Sequence, residues 1–198
     1  MSISQTTENE PPQQNPLSLW ERIEAFITRL STKNNFWHRI CSLIWLPFAF
    51  RSGISMRRLG PNRFTAVLPF KRSNRNFYNA MAGAALLGNS EVAAGMFLFK
   101  HCGSDYAVVC KTMSYKFLRP CYGPAIYNVK KAETVANELS EKMTTREEFN
   151  IAFTMDITQT LSKQGKESRV GRCDITFHCT PKYKIKERAE RRKKRSSS

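Results

Sequence analysis

The chain contains no CxxC pair and no HxxxH pair, although it holds six cysteines (Cys41, Cys102, Cys110, Cys121, Cys173, Cys179) and three histidines (His38, His101, His178). Structural zinc sites draw on such closely spaced pairs, so no metal and no other cofactor is expected. The apolar stretch at residues 36–50 is interrupted by His38, Arg39 and Pro47, and its uncharged part is shorter than the roughly 20 residues that cross a bilayer. The opening MSISQTTENEPPQQNP lacks the basic and apolar regions of a secretion signal and reads as a disordered leader over residues 1–16. Reduced thiols in a cytoplasmic protein follow as the expectation. No helix-turn-helix or RNA-binding signature is present.

Acidic residues are scarce as well. Lys and Arg number 32 against 16 Asp and Glu, a formal net charge of +16. Residues 1–16 carry only Glu8 and Glu10, while residues 181–198 carry nine Lys/Arg and two Glu, so most of the excess sits in the body. A basic body suits an anionic partner: nucleic acid, acidic lipid or a phosphorylated small molecule. Hydrophobic residues at 41% and aromatics at 11% supply a core and exclude wholesale disorder.

Trp20, Ile23, Ile27 and Leu30 recur at helical spacing behind Ser18, and an apolar stretch follows to Phe50, giving an N-terminal helical segment over residues 17–52. Residues 53–180 read as the main domain and 181–198 as a charged, solvated tail. Phe64, Ala66, Leu68 and Phe70 alternate as in a strand. The run NAMAGAALLGNSEVAAGMFLF (79–99) predicts a long helix, apolar almost all round, that other elements must enclose. Residues 106–118 and 124–131 predict two strands, followed by a polar connection through Met143. Phe149, Ile151, Phe153, Met155 and Ile157 alternate with polar neighbours, and Cys173, Ile175, Phe177 and Cys179 do so on the return strand, with residues 162–166 as the turn. A strand, a long helix and then four consecutive antiparallel strands make an α+β domain, its sheet curved around one helix.

Across 79–99 the only charged residue is Glu91, expected on a face with Ala84, Leu87, Gly88, Ala94, Gly95 and Leu98 and with no Lys or Arg within a turn. A carboxylate on an apolar face is costly unless it is paired or lines a polar cleft. Such a group suits a general base or a nucleophile, and an ion pair with a distant Arg or plain exposure explains it equally. Upstream, Asn76 can donate and accept hydrogen bonds. Gly83 lies near the helix start, where unpaired N–H groups polarise an oxygen placed against them.

The run NFYNAMAGAALLGNSEVAAG from Asn76 to Gly95 resembles the motif of hotdog-fold thioesterases of the phenylacetate-pathway type. In that motif an Asn precedes a Gly-bearing helix start, and an Asp or Glu follows eight residues after the Gly. Arg75-Asn76, Phe117-Leu118-Arg119-Pro120 and Gly123-Pro124 are similar to a branch of that superfamily known as a domain of unknown function. The resemblance spans about residues 47–180 and implies a hotdog fold, a long central helix wrapped by a curved antiparallel sheet. It implies an acyl-CoA thioesterase in which Glu91 activates water or attacks the thioester, the Gly83 N–H polarises the carbonyl, and Asn76 orients water or substrate. The site would be completed across a homodimer or tetramer, with Arg72, Arg75 and Arg119 available to the phosphates of coenzyme A. Ala82 stands where many active members have His, which argues against dehydratase chemistry. The alternative is a non-catalytic hotdog module for acyl binding or oligomerisation. Weak contact of the basic tail with nucleic acid or an acidic membrane is an accessory expectation, and residues 17–50 leave open a membrane-peripheral location.

Overall fold

A computed structural model of the chain describes residues 47–58, 64–160 and 167–196. The leader, the Trp20–Leu30 periodicity and the turn at 162–166 lie outside the described residues. The elements are α1 (Pro47–Ser52), β1 (Ser55–Arg58), β2 (Phe64–Leu68), α2 (Gly83–Cys102), β3 (Tyr106–Phe117), β4 (Ala125–Val129), α3 (Ala132–Thr144), β5 (Phe149–Thr160), β6 (Glu167–Pro181) and α4 (Lys182–Ser196). A 3-10 turn at Arg72–Asn74 precedes α2. The fold is α+β, with α2 seated on a six-stranded sheet. Among the described residues no helix is long and apolar enough to cross a membrane.

Every strand pair is antiparallel, in the order β1-β2-β4-β5-β6-β3. The alternation read from β5 and β6 sets their facing: Ile151, Phe153, Met155 and Ile157 are buried, as are Cys173, Ile175, Phe177 and Cys179. Against them α2 lays Ala93, Ala94, Phe97 and Leu98. The Phe97 and Phe153 rings stand 5.8 Å apart and those of Phe153 and Phe177 6.3 Å apart. The small Ala93–Ala94 pair permits the close seating of helix on sheet that larger side chains would prevent.

Several expectations need correction. The four strands are not laid down in sequence order: β3 crosses to the far side of β6 and becomes an edge, leaving β4 to pair with β2 and β5. The α2 helix is not buried all round: Ala84, Glu91 and Phe99 along it are exposed. Residues 132–144 form a helix, because Val135 and Leu139, one turn apart, are buried on the same side. The basic tail is helical and exposed from Ile185 to Arg195. Its start is held by Lys182 N–H donating to Asp105 O (2.9 Å), Tyr183 Oη donating to Arg146 O (2.8 Å), and ion pairs Lys184–Glu147 and Arg188–Glu148.

At Gly171 in β6 an added Cβ would fall on the phenol of Tyr115, whose hydroxyl is buried without a hydrogen-bond partner. Gly171→Ala is expected to cost about 1–3 kcal/mol in urea unfolding. Tyr115→Phe is expected to leave stability equal or slightly raised, because it removes an unsatisfied buried group.

Candidate functional site

The approach to α2 is built from three asparagines. Asn74, 2% exposed, donates from Nδ2 to Ser52 O (2.8 Å) and Pro69 O (2.9 Å), fixing the turn against α1. Ser52 Oγ in turn donates to Asn89 Oδ1 at 2.7 Å, so α1, the turn and α2 share one buried polar network. Asn76 accepts at Oδ1 from Tyr78 N–H (3.0 Å) and Ala80 N–H (3.1 Å), while its own N–H donates to Ala80 O (2.8 Å). Asn79 closes this loop at φ 59°, a left-handed conformation that asparagine tolerates. The amide oxygen of Asn76 is thus committed to the loop, and its Nδ2 has no partner among the described residues.

Helix α2 begins at Gly83, four residues after the left-handed Asn79. Ala82 occupies the cap position with extended angles and no side-chain cap bond. The first intrahelical bond is Leu86 N–H to Ala82 O (3.0 Å), which leaves the N–H groups of Gly83, Ala84 and Ala85 without intrahelical acceptors. Gly83 therefore heads the unpaired set. A Cβ there would lie 3.2 Å from Phe117 Cε1, so the absence of a side chain lets the Phe117 ring close over the helix start.

Glu91 sits elsewhere. It is exposed, midway along the uncovered face of α2 that also carries the exposed Ala84 and Phe99. At Gly95 on the same face an added Cβ would meet nothing within 4 Å. The dry setting expected for this carboxylate is not found among the described residues, where β3 is the last strand of the sheet. Glu91 has no ion-pair partner among the described residues. Its charge is felt by the Cys110 thiol of β3, which is pushed up first by burial and then by that carboxylate. Eight residues of helix separate Gly83 from Glu91, about 12 Å along the axis. Within one copy Glu91 is thus held well away from the helix start at Gly83.

Two arginines considered for phosphate binding are partly engaged. Arg75 lies over the Phe70 ring (5.2 Å) and donates to Asn79 Oδ1 at 2.7 Å. Arg119 Nη1 donates to Ser168 Oγ at 3.4 Å. Arg72, Arg75, Asn76, Phe77 and Asn79 line an open hollow of about 360 Å³ beside the helix start. A second hollow of about 410 Å³ lies on the outer face of the sheet among Thr112, Ser114, Thr154, Asp174 and Thr176, away from α2. Among the described residues no group of His, Cys, Asp and Glu is arranged to hold a metal ion.

The buried network of Ser52, Asn74 and Asn89 was not foreseen. Its signal was the Asn89-Ser90 pair inside an apolar run: both are fully buried, and Ser90 Oγ donates to Leu86 O (2.9 Å). Facing Ser90, Cys173 is pushed up to about 11 from 9.0, by burial first and against the Ser90 hydrogen bond. The folded state thus keeps this proton where the unfolded chain loses it. The resulting stability is complete below about pH 9 and is lost as pH rises through 11. Thermal melts should show a falling Tm across that window, with a shallower slope in Cys173→Ala.

No protein-family model matches the sequence, and no curated protein matches it. Solved structures do match. A Pseudomonas aeruginosa protein of unknown function, described as a probable thioesterase, aligns with TM-score 0.57 and 21% identity over 75% of this chain and 96% of that one. A thioesterase family protein from Silicibacter pomeroyi aligns at 0.53 and 16%, over 72% and 96%. A thioesterase from Haemophilus influenzae aligns at 0.52 and 12%, over 72% and 88%. Likeness at these identities speaks to architecture: the chain has the hotdog fold.

Proposed function

We propose that the chain is an acyl-thioester hydrolase, acting on acyl-CoA or a related carrier thioester as a homodimer whose sites each combine two copies. The observation that carries this reading is the division of the site: unpaired N–H groups at Gly83, and a carboxylate about 12 Å further along the same helix. Reacting groups must stand within about 3–3.5 Å of each other, so Glu91 and Gly83 of one copy cannot serve the same carbonyl. A second copy, laid antiparallel along the free edge of β3, covers the open face of α2 and sets its own Glu91 opposite the first copy's helix start. Free strand edges invite such pairing, and two-fold pairing is self-limiting. The exposed Phe77 (98%), Tyr78 (82%) and Phe117 (58%) supply apolar surface for it.

In that arrangement the Gly83 N–H, with the end of the α2 dipole behind it, stabilises the oxygen as the thioester carbon becomes tetrahedral. Glu91 of the other copy, dried by the interface, takes a proton from water or attacks the carbon itself. Asn76 Nδ2 orients the water or the acyl carbonyl, and the thiolate of the carrier leaves. Arg72 and Arg75 at the adjoining hollow face the phosphates of the carrier.

Ala82 favours a second reading, a non-catalytic acyl-binding or oligomerisation module, because it offers no imidazole at the helix start. An acyl-CoA panel separates the two. Hydrolysis is expected, with Glu91→Gln lowering kcat/KM by about 10²–10⁴-fold at unchanged fold and dimer mass. Full activity in Glu91→Gln rejects the assigned role, and a retained acyl ligand without turnover by the parent protein favours the module.

A further inference from the structure

We infer that Gln159 is a positioning residue for the Gly83 N–H, acting through the connection at residues 118–124. The inference rests on the hydrolase reading, in which that N–H meets the thioester oxygen. The inner row of β5 runs Ile151, Phe153, Met155, Ile157 and then Gln159, which is only 4% exposed. An amide at the end of an apolar row is costly to bury unless both of its polar atoms are bonded. Both are: Gln159 Oε1 accepts from Tyr122 N–H (2.8 Å) and Nε2 donates to Pro120 O (3.2 Å). One side chain thus holds the two residues that flank Cys121.

Cys121 passes that hold on to α2. Residues 118–124 belong to no helix or strand, so no ladder fixes their backbone. The N–H groups of Leu118 and Arg119 both donate to Val170 O (2.9 and 3.2 Å), which pins the near end. Further on, Cys121 O accepts from Met81 N–H at 2.7 Å, and Ala82 N–H donates to Asn74 O at 2.8 Å. The two residues before α2 are therefore gripped by two different segments. Ala82 is extended, and the next N–H along the chain is that of Gly83, the first of the helix and without an intrahelical acceptor. Stabilisation of an oxyanion depends on where the donor stands as charge develops, and a misplacement of about 1 Å can cost about 10²-fold in rate. Gln159 does not bond the Gly83 N–H itself; it fixes the frame in which that N–H stands.

The test applies steady-state kinetics and amide hydrogen exchange to two variants of the full chain, with the acyl-CoA that the parent hydrolyses fastest. Gln159→Met keeps an unbranched side chain and loses both bonds. Its kcat should fall about 10–10²-fold with KM unchanged, because the loss lies in the transition state. Its Met81 amide should exchange roughly tenfold faster while that of Met155 in β5 stays protected. In Gln159→Glu the carboxylate still accepts from Tyr122 N–H but opposes Pro120 O, and the protonated acid donates to that oxygen and restores the pair. Its kcat relative to the parent should therefore climb as pH falls, whereas the ratio for Gln159→Met stays flat. Parent-like kcat in Gln159→Met, a loss confined to KM, or unchanged exchange at Met81 overturns the positioning role while hydrolysis by the parent stands. A parent protein that turns over no thioester removes the hydrolase reading, and this role with it.

Discussion

The seating of α2 on the sheet governs the rest of the molecule. A helix has two sides and the sheet can dry only one of them. Ala93, Ala94, Phe97 and Leu98 take that side, packed on the inner rows of β5 and β6. On the opposite side Ala84, Glu91 and Phe99 are exposed. The same seating fixes the start of the helix, since the turn before it is tied to α1 and Pro69 by Asn74 and to Cys121 O by Met81 N–H. Two chemically distinct features on one rod, the helix start at Gly83 and the carboxylate of Glu91, are thereby kept at a set spacing.

Much of the architecture was legible because burial has a period. β5 and β6 alternate cleanly over more than ten residues each, and their side chains face as the alternation required. Long elements with both apolar and polar faces announce themselves. β1 (SMRR) and α3 do not: the first has no alternating apolar row, and the second exposes all but Val135 and Leu139 of its larger apolar contacts to partial solvent. The order of strands was illegible for a different reason. Which of β3 and β4 lies beside β5 is decided by the path of the connection through residues 118–124, where no periodicity operates.

The candidate site divides in the same way. The spacing from Asn76 to Gly83 to Glu91 is a fact of sequence, and the helix carries it into three dimensions. The start of α2 falls at Gly83, at the end of the Asn79–Gly83 span in which the sequence puts it, because Ala82 is still extended. The surroundings of Glu91 depend on what covers the face, and no local pattern encodes that. Nor could the sequence say that Asn76 spends its oxygen on Tyr78 and Ala80. The buried asparagine network shows the converse: a polar residue in an apolar run marks a candidate for chemistry at Glu91 and a packed hydrogen bond at Asn89.

Subunit mixing tests the division of the site most directly. Gly83→Pro deletes the N–H at the first helical position, where proline is tolerated, and Glu91→Gln deletes the base. Each variant alone should be inactive toward thioesters, and mixing the two under conditions of subunit exchange should restore activity, because each mixed pair regains one intact half-and-half site. A mixture that forms mixed pairs by mass and stays inactive would contradict the two-copy site.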